Sequence, residues 1–327
     1  MTSTPEIIHV PVLAEEVLRA LEPKDGAVYV DGTFGNGGYS RAVLDAADCT
    51  VYAIDRDPDA IARGQVMAAE AGGRLILIEG RFSEIDRLVA AHGVAQVSGI
   101  ALDIGISSFQ IDDPARGFSF AADGPLDMRM ERSGATAADI VNSLSETELA
   151  ELIYRFGEER QSRRIAAAIV SARAVEAITR TGQLADIIIR AIGRRPDKKT
   201  HVATKTFQAL RIYVNDELGE LRLGLEAAER LLATDGTLCV VSFHSLEDKL
   251  VKSFLAERSG SLPTPSRHRP PQRRSTPPPT FFLPKRGAVK PGRDEIAANP
   301  RSRSARLRVA VRTDAAPWPE TRAGASA

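Results

Sequence analysis

The feature that most constrains the fold is an alternation, in the first third of the chain, between short apolar runs and helix-like segments. Ala27 to Asp31, Thr50 to Asp55, Arg74 to Glu79 and Val97 to Asp103 are rich in Val, Ile and Leu, and longer mixed segments separate them. Strands of this length joined by helices read as parallel crossovers, so the pattern predicts an open, doubly wound α/β sheet. Ligands of such sheets bind at the carboxyl ends of the strands. One connecting helix, Ser83 to Ala91, is expected to start from a cap at Ser83 with Asp86 three residues on.

After Asp103 the rhythm stops, and Gly105 to Gly134 carries almost no periodic pattern. Ser145 and Glu148 then form a capping box ahead of Leu149, Leu152, Ile153 and Phe156, which share one helical face. Ile165 and Ile169, then Leu184, Ile188 and Ile192, continue the helical pattern. Leu218, Leu221, Leu225 and Leu232 mark a helix leading through Asp235-Gly236 into a strand, Thr237 to Ser242. The expectation is one α/β domain, 1–116 with 210–327, interrupted by a helical insertion over 117–209. The 327 residues are ample for two such units. Prolines dominate Ser259 to Pro300, so no core element is expected in that loop. An alternating segment, Ala305 to Thr313, is expected as a last strand at the sheet's edge.

Charge matters through its distribution. The 43 Lys+Arg balance 43 Asp+Glu, yet Arg258 to Arg312 holds fourteen Lys/Arg against two acids, Asp294 and Glu295. A basic segment therefore follows an acidic body, which suits an anionic partner as well as a merely solvated face. Cys49 and Cys239 lie in strand-like runs without any Cys/His cluster, so they read as core residues and no metal is expected. The first residues, Met1 to His9, have neither a basic start nor an apolar stretch, and no long apolar run follows. A soluble, cytosolic protein with no membrane contact is expected.

The first strand runs into Asp31-Gly-Thr-Phe-Gly-Asn-Gly-Gly-Tyr-Ser40, and the second ends at Asp55. Gly35, Gly37 and Gly38 let the backbone pass close to a ligand, and an acid ending the second strand is placed to accept ribose hydroxyls. A dinucleotide fingerprint would want a third glycine where Ser40 stands, and Asp31 would repel a pyrophosphate. S-adenosylmethionine, which carries an ammonium and a sulfonium, suits the site better, and the mismatch disfavours a nicotinamide-dependent oxidoreductase. Asp103, at the fourth strand's end, reads either as a turn cap or as a site acid. His244 follows the strand Thr237 to Ser242, and a helix cap at Ser245 with Asp248 accounts for part of that motif without catalysis.

Several long motifs resemble one family. Asp31-Gly-Thr-Phe-Gly-Asn-Gly-Gly, Ala53-Ile-Asp-Arg-Asp-Pro, Ser107-Ser-Phe-Gln-Ile-Asp-Asp-Pro-Ala-Arg-Gly-Phe-Ser-Phe, Asp123-Gly-Pro-Leu-Asp-Met-Arg-Met, Thr206-Phe-Gln-Ala-Leu-Arg-Ile and Ser242-Phe-His-Ser-Leu-Glu-Asp are similar to the RsmH (MraW) family. Its members are bacterial 16S rRNA cytosine-N4 methyltransferases, and the resemblance runs from His9 to about Val311. It implies a class I (Rossmann-like) S-adenosylmethionine-dependent methyltransferase with an inserted all-helical domain. By resemblance, cofactor contacts fall on Gly37, Gly38, Tyr39, Asp55 for the ribose, Phe82 beside the adenine, and Asp103 and Gln110 near the methionine end. Tyr39 replaces a histidine common in the family, so a backbone contact is expected there. Phe109 stands where a proline is common.

The resemblance also implies the substrate: a cytidine in the decoding centre of 16S rRNA within the small ribosomal subunit. Its N4 lone pair is delocalised into the ring, so the site must accept the amino hydrogens while that nitrogen attacks. The alternative is an amino-methyltransferase acting on another RNA or on DNA; the Asp/Asn-Pro-Pro-aromatic motif of amino-methylating DNA enzymes is absent after Asp103, which disfavours a DNA substrate. Proton acceptors left open are Asp103, the Ser107 and Ser108 oxygens, backbone carbonyls and His244. Arg190 to Arg211 holds seven Lys/Arg against Asp197 alone, so Arg194, Arg195, Lys198, Lys199, Lys205 and Arg211 are candidate phosphate contacts. A non-catalytic RNA-binding protein is the reading from another class, disfavoured by the intact Asp31, Asp55 and Asp103. The resemblance leaves the oligomeric state open, a dimer included.

Overall fold

A computed structural model of the chain describes residues 11–193, 201–261 and 277–319. The chain divides into two compact units, Met1–Gly105 with Glu220–Ala327, and Ile106–Gly219. In chain order the first unit opens with α1 (Ala14–Leu21), β1 (Val28–Asp31), α2 (Gly38–Ala46), β2 (Thr50–Asp55), α3 (Pro58–Glu70), β3 (Leu75–Glu79), α4 (Ile85–Ala90) and β4 (Val97–Asp103). The second contains α5 (Ser108–Asp112), α6 (Ala137–Ser143), α7 (Glu146–Gly157), α8 (Ser162–Arg173), α9 (Thr181–Ile192) and α10 (Thr204–Val214). The helix α11 (Glu217–Leu231) leads back, followed by β5 (Leu232–Ser242), α12 (Ser245–Arg258), β6 (Phe281–Phe282), α13 (Arg293–Ala298) and β7 (Arg306–Arg312).

The sheet order is β3-β2-β1-β4-β5-β7-β6, with β7 antiparallel to its neighbours on both sides. Alternate residues explain the double winding. Tyr52, Ile54, Ile100 and Leu102 pack on one face with α4, α11 and α12, whereas Val51, Ala53 and Ala101 pack on the other with α1, α2 and α3. A strand buried on both faces needs a continuous apolar run, which is what Val51 to Ile54 supplies. Strand order reverses between β1 and β4, and the register pairs Asp31 with both Ala53 and Ala101. The ends of β1, β2 and β4 therefore open on one crevice, the expected ligand position for this architecture.

The expected class of fold is what the structure shows, with four local differences. The cap expected at Ser83 is replaced by a 3₁₀ turn, Phe82–Glu84, and Asp86 instead receives the Arg230 guanidinium at 2.6 Å. The Asp235-Gly236 signal lies inside β5 as an irregularity, because β5 already pairs Leu232 with Val97 before resuming at Thr237 with Gly99. The Gly105 to Gly134 loop contains α5, whose Ser107 cap is reciprocated by Gln110. The Pro-rich stretch does contribute to the core: Phe281 is fully buried, β6 extends the sheet one strand past β7, and Glu295 on α13 accepts from the Leu13 amide at 2.7 Å. Proline spacing excludes long elements, but it does not prevent two residues from pairing on an edge.

The second unit has its own core, built from α6 to α10 and the preceding loop. Ser145 and Glu148 cap α7 reciprocally, as their spacing predicts. Asn215, just past α10, accepts from the Met130 amide and donates to the Met128 carbonyl, each at 2.8 Å. This clamp holds Met128 in a left-handed conformation, φ 64°. Among the described residues no helix is long and apolar enough to cross a membrane.

Candidate active site

The loop after β1 folds over its own phenylalanine. Phe34 donates its amide to Ile54, Gly37 donates to the Phe34 carbonyl, and the buried Phe34 ring lies beneath. Gly37 has φ +72°, and a Cβ there would lie 2.7 Å from that ring. Only glycine meets both demands without strain. Gly38 opens α2, and the Tyr39 side chain behind it is buried, its hydroxyl donating to the Val12 carbonyl.

Asp31 anchors this loop. Its Oδ2 accepts from the Ser40 hydroxyl at 2.7 Å and from the Ser40 amide at 3.2 Å, and its Oδ1 accepts from the Thr33 amide at 3.3 Å. Ser40, which replaces the third glycine of a dinucleotide fingerprint, is therefore the partner that keeps a buried carboxylate satisfied. Burial raises the Asp31 carboxyl above the usual range, and these bonds oppose the rise. Asp55 ends β2 with Oδ2 accepting from the Gly35 amide at 2.7 Å and Oδ1 from the Asp57 amide at 2.8 Å. Desolvation nevertheless lifts its carboxyl to about 6.

Asp103 differs from both. Its amide donates to Thr33 Oγ1 at 2.6 Å, but its buried Oδ1 has no hydrogen-bond partner among the described residues. Burial first, then the negative charges of Asp31 and Glu247, hold the carboxyl well above its ordinary value. A buried acceptor left without a donor is costly and uncommon, so this oxygen marks a place built for a ligand N–H. Phe82 follows β3, its ring lying against α11 so closely that a Cβ at Gly224 would approach it to 2.4 Å.

The end of β5 corrects the expected cap. His244, not Ser245, is the N-cap of α12, and Glu247 completes the box in place of Asp248. Glu247 is fully buried; its Oε2 accepts from the Phe243 amide at 2.8 Å and the His244 amide at 3.2 Å, and its Oε1 lies 2.9 Å from His244 Nε2. Asp248 instead faces β7 and pairs with Arg306 and Arg308. Ser and Asp are the commoner capping residues, so local preference pointed to the wrong register. Asp248, engaged by Arg306 and Arg308 of β7, leaves the box to Glu247.

In the second unit, Ser107 Oγ accepts from the Gln110 amide at 3.3 Å and Gln110 Oε1 accepts from the Ser107 amide at 3.0 Å. Lys205 donates to the Glu158 carbonyl at 2.7 Å, and Arg211 forms a two-pronged pair with Glu217 at 2.7 and 2.8 Å. Both cations thus have partners inside the unit. Arg194, Arg195, Lys198 and Lys199 lie outside the described residues. Thr33 and Glu247 escaped the sequence reading, since a threonine in a turn and a glutamate in a helix carry no distinguishing signal. Only the strand ends that bring Thr33 to Asp103 reveal the first.

Residues 6–313 match the MraW methylase family. A protein of Paramagnetospirillum magneticum named ribosomal RNA small subunit methyltransferase H is 59% identical over 310 residues, covering 95% of this chain and 97% of its own. Its namesake from Rhodospirillum centenum is 58% identical over 308 residues, covering 94% of this chain and 93% of its own. Among solved structures, an rRNA methylase from Streptococcus thermophilus is similar with 10% identity and a TM-score of 0.41, covering 94% of this chain and 99% of that one.

Proposed function

The chain belongs to the MraW methylase family, and from that premise we propose that it transfers a methyl group from S-adenosylmethionine to the exocyclic N4 of a cytidine in the decoding centre of 16S rRNA. The observation that carries the chemistry is Asp103 Oδ1, buried and without a donor at the end of β4. Together with Asp31 and Asp55 it makes a crevice that attracts cationic ligands and repels phosphates. The residues therefore fit S-adenosylmethionine, which when bound supplies a methyl carbon made electrophilic by its sulfonium.

The strand ends divide the tasks. Asp55 accepts from the ribose hydroxyls, and the Gly35 to Tyr39 backbone, held open by Phe34, covers the donor. Phe82 lies beside the adenine. Asp31, already bonded to Ser40 and Thr33, acts through the shape of the loop and through its field, which together with that of Asp103 draws the ammonium. Asp103 Oδ1, which has no donor of its own among the described residues, accepts an N4 hydrogen as that nitrogen attacks in line. Ser107 and His244 are the alternative acceptors, His244 being the less available because Glu247 faces its ring. Gln110 is assigned to the methionine end by the family resemblance alone.

The 106–219 unit is the part we assign to RNA recognition, with Arg194, Arg195, Lys198 and Lys199 contacting phosphates. The target base must be unpaired or flipped to expose N4, which costs a few kcal/mol less where it is already out of the stack. An assembled small subunit presents that surface preordered, so it should be a better substrate than free RNA. The test is mass spectrometry of 16S rRNA digests from a deletion strain with and without the complementing gene. Loss of the mark at a ring carbon, at N3 or on a ribose, or no change at all, would overturn this reading.

A further inference from the structure

We propose that a hollow on the β7 side of the α/β unit is a phosphodiester-binding site for the RNA substrate, separate from the crevice of Asp31, Asp55 and Asp103. It has a volume of about 450 Å³ and is formed by the second half of α12, the 283–287 segment and β7. Three stretches far apart in sequence bring Lys252, Lys285, Arg286 and Arg308 around it, and no acid is among its described lining residues. The inference rests on the rRNA reading above and adds to it a second contact surface outside the helical unit.

The charge is uncompensated. Arg308 is anchored by Asp248 at 2.8 Å, yet the same carboxylate also serves Arg306 at 2.9 Å, so one guanidinium charge is left over. Lys252, Lys285 and Arg286 are exposed and have no ion-pair partner among the described residues. Like charges gathered round a concavity repel one another unless an anion joins them. Leu255, Leu283 and Val309 make part of the lining apolar. Cations and apolar side chains lining one hollow fit a sugar-phosphate unit with its base better than a small hydrated anion, and the volume falls within the range of ligand pockets.

The experiment compares wild type with Lys252→Ala/Lys285→Ala/Arg286→Ala, leaving Arg308 to hold Asp248. A control, Arg19→Ala/Lys24→Ala/Arg87→Ala, removes the same charge from other exposed positions of the unit. Affinity for small-subunit rRNA is measured across a salt series, with S-adenosylmethionine affinity by calorimetry as the check on folding. The pocket variant should bind RNA roughly tenfold more weakly and lose about 2 to 3 from the slope of log affinity against log salt, since each phosphate contact releases condensed counterions. Its cofactor affinity should be unchanged, and the control should bind RNA within about twofold of wild type.

An independent readout needs no variant. In wild type, rRNA carrying 4-thiouridine should photocrosslink to the peptide holding Lys285 and Arg286. An unchanged salt slope, an equal loss in the control, or no adduct on that peptide overturns the pocket while leaving the function intact. Failure of wild type to bind rRNA at all overturns both.

Discussion

The Gly35 amide donates to Oδ2 of Asp55 at 2.7 Å, which ties the loop after β1 to the end of β2. One carboxylate thereby shapes the glycine loop while facing the crevice. Asp55→Ala should remove both roles. A charge-assisted hydrogen bond contributes about 1.5 to 3 kcal/mol, so cofactor affinity should fall roughly ten- to hundredfold. Calorimetry with S-adenosylmethionine checks this, and an unchanged dissociation constant in a folded variant would remove Asp55 from the site.

Stability and binding should respond to pH in opposite directions. A carboxyl raised in the folded state binds protons more tightly than in the unfolded chain, so it contributes stability at low pH that is lost as pH rises through its folded value. For Asp55, lifted from 3.8 to about 6, the full effect is up to about 3 kcal/mol, of which about 1 kcal/mol is recovered between pH 7 and 5. Asp31 and Asp103 shift the same way. The cofactor-free protein should therefore melt a few degrees higher at pH 5.5 than at pH 7, while cofactor affinity falls below about pH 6. A melting temperature that drops over that range would contradict the assigned shifts.

Gly37→Ala should damage the loop itself. The substitution places a Cβ 2.7 Å from Phe34 and 2.8 Å from Met67 Sδ, in a left-handed backbone conformation. That conformation alone costs about 1 kcal/mol or more. Loss of cofactor binding together with a lower melting temperature is expected. Binding at wild-type strength would show that the loop adapts.

Asn215→Ala tests the other unit. It would strip the Met130 amide and the Met128 carbonyl of a buried partner, at about 1 to 3 kcal/mol for each unsatisfied group. A lower urea midpoint is the expected result, with cofactor affinity retained. An unchanged midpoint would mean that water replaces the side chain.

Much of the fold was legible because its signals are local. Apolar runs ending in Asp31, Asp55 and Asp103 fall at the carboxyl ends of β1, β2 and β4, and the Ser145–Glu148 box caps α7 as its spacing requires. These depend on periodicity and on contacts a few residues apart. The donorless oxygen of Asp103, the burial of Phe281 inside a proline-rich stretch and the gathering of Lys252, Lys285 and Arg286 do not. Desolvation and charge clustering are set by whichever distant segments the sheet order brings together. The sequence by itself therefore determined the strands and the chemistry of their ends, whereas the tertiary structure alone decided which polar groups lost water without gaining a partner and which cations came to share one hollow.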